Sequence, residues 1–282
     1  MKKLLLILLL PFILFSKERI ITLSPAVNEI IFALGMGDEI VANTDYALFP
    51  EASKKLPKVG GYFSPNIEKI LFYNPSLVVM QDNNTALDKK LKRLNIKTKI
   101  IKIDKLVSIK KAILDLGKLL NKEKEAKKIV KDINLSLQAI QNIVKNKKIL
   151  IVFGRSDDLS RGVFVAGQNL YYDEIINKSN NINALQSTRK GQPILNMENI
   201  IASQPDIVLL LARHENNNLS DKALIDAWKK LPIPASKDNA IFINPHIYAG
   251  IPSDRLILFL KDFKEILEKY KSIKFIKKIN LD

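Results

Sequence analysis

The chain contains no cysteine in 282 residues. That excludes disulfides, thiol nucleophiles, thiolate metal sites and a lipid-modified cysteine anchor. Histidine is almost as scarce, with only His214 and His246. A bare zinc or manganese site takes three or four nitrogen and carboxylate ligands, so two histidines argue against a dedicated metal-ion carrier. They leave room for one His or Tyr to complete the shell of a metal that arrives already chelated. Enzyme signatures are missing too: there is no G-x-S-x-G and no H-E-x-x-H. Gly35-Met36-Gly37 lacks the third glycine of a dinucleotide fingerprint, and Gly117-Lys118 stands without the rest of a phosphate loop.

One long apolar run is present, Leu4 to Phe15, preceded by Met1-Lys2-Lys3 and followed by Ser16 and the charged Lys17-Glu18-Arg19. A basic start, a short apolar stretch and a small residue are the parts of a cleavable signal peptide over residues 1–16, and the run is too short for a permanent membrane helix. The expected product is soluble and exported, to a periplasm. The formal net charge of +16 raises nucleic-acid binding as a reading, yet only seven of the 45 basic residues are arginine. The lysines are interleaved with acids along helical stretches such as NKEKEAKKIVKD, the pattern of solvated faces, so no nucleic-acid partner is expected.

What the chain does have is an internal repeat. Residues 66–79 read NIEKILFYNPSLVV and residues 196–209 read NMENIIASQPDIVL, without a gap, at a spacing of 130. Asn66/Asn196, Glu68/Glu198, Ile70/Ile200, Pro75/Pro205 and Val78/Val208 are identical, with Gly61/Gly191 upstream at the same offset. Each copy predicts a short helix capped by Ser64 or by Asn196, a proline that forbids continuation, and a buried strand. For Glu68 and Glu198, an acid at the positive end of a helix dipole is one reading and a docking role is the other.

The remaining pattern alternates strands with amphipathic helices, the mark of a parallel α/β lobe. Ser24-Pro25 starts a helix that Gly35 stops. Apolar residues from Ala126 to Val144 recur at steps of three and four, predicting one long helix over residues 122–146 between a first lobe, 17–121, and a second, 147–282. A rigid connector of that kind implies little hinge motion. In open α/β sheets ligands bind beyond the carboxyl ends of the strands. That rule picks out Tyr46 and Gln81 in the first lobe, and Arg155, Arg213, His214, His246 and Tyr248 in the second. Tyr62 and Arg189, preceding the two repeated helices, should face one another across an interlobe cleft. Aromatics and arginines around one cleft suit a large, flat or anionic ligand. A secreted enzyme using the same cleft would have to rely on Asp45, Asp82, His214 or His246.

The segments RIITLSPAVNEIIFALGMGDEIVANTDYALFPEA, LPKVGGYFSPNIEKILFYNPSLVV and NMENIIASQPDIVLLL resemble the periplasmic metal-chelate binding proteins of ABC importers, which carry cobalamin, haem or ferric siderophores. The resemblance covers essentially the whole chain after residue 16 and implies two α/β lobes bridged by one long α-helix, acting as a monomer without catalysis or a cofactor of its own. It also implies that Glu68 and Glu198 dock on permease subunits at the inner membrane, and that Tyr46 and Tyr62 line the cleft as aromatics do in cobalamin carriers. Cobalamin or a related corrinoid is the first expectation for the cargo. Gln81 and the sequence KGQPIL depart from those carriers, where aromatics are found. For a ferric siderophore, the resemblance implies arginines against the chelate and His214 with Tyr248 on the iron; haem would take a Tyr or His axial ligand.

Overall fold

The computed structural model describes residues 17–187, 191–212 and 219–279. Two sheets form, each with its strands' carboxyl ends turned to a shared cleft. The first lobe runs β1 (Ile20–Thr22), α1 (Pro25–Ala33), β2 (Ile40–Asn43), α2 (Glu51–Lys54), α3 (Ile67–Phe72), β3 (Leu77–Gln81), α4 (Thr85–Arg93) and β4 (Thr98–Ile101). Its sheet is wholly parallel, in the order β2-β1-β3-β4. Two helices follow, α5 (Leu106–Leu119) and α6 (Glu123–Ala139).

The second lobe comprises β5 (Lys148–Phe153), β6 (Val163–Val165), α7 (Tyr171–Lys178), β7 (Ile182–Asn183), β8 (Ile194–Leu195), α8 (Met197–Ser203), β9 (Ile207–Leu211), α9 (Asp221–Lys229), α10 (Pro234–Lys237), β10 (Ile241–Asn244) and α11 (Leu256–Ile279). The order β7-β5-β9-β10 is parallel and reproduces the first sheet strand for strand. The outer half of β5 instead pairs antiparallel with β6, and β6 with β8, so this lobe carries an added antiparallel arm.

Local chemistry explains the boundaries. Ser24 accepts from the Val27 amide and Pro25 opens α1 as expected. In the first repeat the cap is Asn66, accepting from Lys69 N, where Ser64 was expected; Asn196 accepts from Asn199 N in the second. The structural match therefore extends to the cap itself. Each helix ends before its proline at a residue with positive φ, Asn74 (42°) and Gln204 (44°), again 130 apart.

Between the sheets, the helix expected over 122–146 is shorter. It stops at Ala139, and Asn142 and Asn146 take left-handed φ of 61° and 57°, a conformation a helix cannot propagate. The apolar period continued because Ile140, Ile143 and Val144 still pack on the core after the helix has ended. A second helix, α5, which the sequence reading did not separate, packs antiparallel on α6. At Gly117 the two helices approach too closely for a side chain, since a Cβ there would lie 2.4 Å from the Ala126 methyl. That contact accounts for the glycine of Gly117-Lys118.

The lobes are also fastened directly. Glu29 on α1 is buried and receives Arg255 Nε (3.0 Å), Arg255 Nη2 and Ser253 Oγ (2.5 Å) from the start of α11. The Arg255 guanidinium lies 3.9 Å over the Phe49 ring of the first lobe. Lys105 Nζ donates to Gln168 O (2.8 Å), and Leu106 N to Glu174 Oε2 (2.5 Å), on the other flank.

Candidate interlobe binding cleft

The cleft has two adjoining compartments. One, of about 400 Å³, lies between Tyr62, Gln81, Asp82 and Asp104 of the first lobe and Phe153, Leu170, Tyr171 and Gln192 of the second. The other, of about 440 Å³, is lined by Tyr46, Arg155, Leu211 and His246. Pro25, Phe153, Gly250 and Ile251 belong to both and form the ridge between them. Each lobe thus contributes residues that immediately follow its strands, as the topology requires.

Tyr62 donates its hydroxyl to Gln81 Oε1 at 2.9 Å and stands edge-on to Phe63, centroids 4.5 Å apart. Burial first, then the Asp82 carboxylate, raises the Tyr62 hydroxyl above its ordinary value, so at neutral pH it remains a donor. Tyr46 is 62% exposed, which leaves its ring free to meet a ligand. The loop that carries it is held from beneath by a buried polar network: Asn28 Nδ2 donates to Phe49 O (2.9 Å), Ser53 Oγ to Ala47 O (2.9 Å) and Lys58 Nζ to Asn43 Oδ1 (2.6 Å). Asp82 is exposed at the rim, and Asp104 pairs with Lys102 at 3.0 Å.

The profile described as periplasmic binding protein matches residues 20–247. The chain belongs to the periplasmic binding protein family. The vitamin B12-binding protein of Vibrio parahaemolyticus is 26% identical over 259 residues, spanning 91% of this chain and 90% of that one. The solved periplasmic heme-binding protein HutB of Vibrio cholerae superposes with a TM-score of 0.75 at 25% identity, over 89% of this chain and 99% of that one. The periplasmic vitamin B12-binding protein BtuF of Vibrio cholerae superposes at 0.72 and 19% identity, over 90% and 98%, a likeness of fold.

In this periplasmic binding protein the fold brings Tyr46, Tyr62, Gln81, Arg155 and His246 to the cleft. Arg155 reaches it with its charge already used. The side chain is buried, donating to Leu219 O (2.6 Å) and Asp221 Oδ1 (2.5 Å), so it fastens the start of α9. Tyr248 lines neither compartment. Its hydroxyl donates to Asp262 Oδ2 at 2.8 Å, and burial together with that carboxylate raises it far above the ordinary tyrosine value. A ferric ligand would have to be the phenolate, which this environment disfavours. His246 stacks on the Tyr248 ring at 4.8 Å and is exposed to the cleft. Arg189, Arg213 and His214 lie outside the described residues. Among the described residues no three His, Asp or Glu side chains sit close enough together to hold a bare metal ion.

Glu68 and Glu198 are both exposed in the first turn of their helices, and among the described residues neither enters an ion pair. The sequence reading missed Pro25, Phe153, Tyr171 and Asp104. Phe153 is the last residue of β5 and Asp104 follows β4, so applying the strand-end rule to every strand reaches both. Tyr171 carries no comparable signal.

Proposed function

We propose that this chain is the exported, monomeric substrate-capturing subunit of an ABC importer, and that its cargo is a metal chelate of the corrinoid class, cobalamin or a relative. The observation that carries the cargo is the make-up of the cleft wall. Tyr46, Tyr62 and Phe153 supply aromatic surface, Gln81 and Gln192 supply amides, and Asp82 and Asp104 supply carboxylates. Arg155, the one guanidinium on that wall among the described residues, is spent within the protein. Aromatic faces and acceptors suit a large macrocycle whose neutral amide fringe donates N–H groups. They suit the carboxylates of haem or an anionic ferric siderophore less, since those need free cations. The curated relatives named for vitamin B12 binding point the same way.

Haem is the second reading, and His246 favours it: the imidazole is exposed at the second compartment, where an axial ligand would stand. In either case Glu68 and Glu198 supply the contact with the permease subunits, one from each lobe. Their test is uptake by cells or proteoliposomes whose importer depends on this subunit. Glu68→Lys with Glu198→Lys should abolish uptake at unchanged ligand affinity, and undiminished uptake would contradict the docking assignment.

A further inference from the structure

The core covers α11 only as far as Tyr270; from Lys271 to Ile279 every residue except Ile273 is exposed. These last turns hold three large apolar side chains in water, Phe275 (66% exposed), Ile276 (58%) and Ile279 (59%). At about 100° per residue the three fall within one arc of about 100° turned away from the body. Lys274 and Lys277 occupy the opposite side, where each reaches Asp238 at 2.7 Å and fixes the helix to the lobe. Lys271 and Lys278 border the apolar arc on one flank and Lys269 on the other. No acidic residue occurs between Lys269 and Leu281. Glu265 and Glu268 face outward in the preceding turns, and Glu268 is neutralised by Lys264. The apolar and basic surface is therefore confined to the end of the helix.

We propose that this end of α11 is a docking surface for an anionic phospholipid bilayer. An apolar arc that enters the boundary between headgroups and acyl chains, flanked by lysines whose ammonium groups stay among the phosphates, is the arrangement that holds a helix in a membrane surface. The charge argues against the other simple occupant. A second copy placed on the arc would bring the same acid-free cluster of lysines against itself, whereas a sheet of lipid phosphates neutralises it.

Lys277 Nζ donates to Lys237 O (3.2 Å), just before β10, so the surface lies at the end of the second sheet opposite the cleft. A chain held by this surface turns its cleft away from the bilayer that holds it. If Glu68 and Glu198 dock as proposed above, the two contacts exclude each other on one membrane.

The test is flotation of the chain from Lys17 onward, free of the apolar leader that would itself enter lipid. Vesicles of phosphatidylethanolamine and phosphatidylglycerol are compared with phosphatidylcholine vesicles at about 0.1 M salt. The chain should float with the anionic vesicles and stay behind with the zwitterionic ones. Phe275→Ser with Ile279→Ser, and separately Lys271→Glu with Lys278→Glu, should each lower the bound fraction about tenfold or more. All four positions are exposed, so the variants keep the fold, and their unchanged cyanocobalamin titration separates a failure here from a failure of the carrier reading. Absence of flotation, or flotation unaltered by both pairs of substitutions, overturns the proposal. So does a Phe275-dependent dimer in sedimentation velocity without lipid binding, which would assign the face to a second copy.

Discussion

In the first lobe Asn66 caps α3, Asn74 turns left-handed before Pro75, and β3 spans Leu77–Gln81; in the second, Asn196, Gln204, Pro205 and Ile207–Leu211 repeat each step at the same spacing. Even the entry to the strand is alike. Ser76 Oγ accepts from Arg19 N and Asp206 Oδ2 from Lys148 N, both at 2.9 Å, tying the start of each repeated strand to its neighbour. The segments between these elements bring different residues to the cleft. The first lobe brings Tyr46, Tyr62, Asp82 and Asp104 to the cleft, and the second brings Phe153, Leu170, Ile251 and His246. The repeat keeps the skeleton, where caps and strand pairing restrict the residue, and the two lobes differ in the loops that line the cleft.

The sharpest break in that symmetry is the joint, for Glu29 and Arg255 have no counterpart in the repeat. Glu29→Ala would leave the buried Arg255 without its carboxylate, at a cost of about 3–5 kcal/mol. Urea unfolding should show a correspondingly lower midpoint at unchanged slope. A loss below about 1 kcal/mol would mean that the pair is not what fastens the lobes.

Asp254 sharpens the same point through pH. Burial, and then the neighbouring Glu29 charge, push its carboxyl up to about 7, and Oδ1 has no hydrogen-bond partner. Because the folded state holds this proton more tightly than the unfolded chain, the Asp254 contribution falls as pH rises from the ordinary carboxylate range toward 7. Asp254→Asn should flatten that part of the stability profile, measured by unfolding at a series of pH values. An identical slope in the variant would contradict the assignment.

The smallest effect tests the likeness directly. Asn66→Ala and Asn196→Ala each delete one side-chain acceptor at an equivalent cap, so each should cost about 1 kcal/mol. Thermal unfolding of the two variants should agree to within a few tenths of that amount. A severalfold disparity would show that the copies are alike in outline and unlike in energetics.

Much of this architecture was legible in the chain. The repeat, the Ser24-Pro25 start and the strand alternation depend on local chemistry that a sequence displays, and the cleft followed from strand ends. The length of α6 did not, because Ile140, Ile143 and Val144 keep a helical period while packing from a turn. Extended backbone at Val163–Val165 was legible, but its antiparallel pairing was hidden because β8 is two residues long and the arm owes its pairing to tertiary contact. Arg155 read as a ligand contact since nothing local shows that Leu219 and Asp221 claim it. The joint left one visible trace, an acid at Glu29 on the apolar side of α1, but its partner is 226 residues away. Tyr248 followed β10 as the rule asks, and only the position of Asp262 turns its hydroxyl from the cleft.

The carrier account stands most directly on calorimetric titration of the chain from Lys17 onward with cyanocobalamin, with hemin and a ferric catecholate in parallel. It predicts saturable one-to-one binding of cyanocobalamin, weakened about tenfold or more by Tyr62→Ala, with the other two ligands weaker. Tight binding of hemin or the catecholate without cyanocobalamin binding, or cyanocobalamin affinity untouched by Tyr62→Ala, would contradict it.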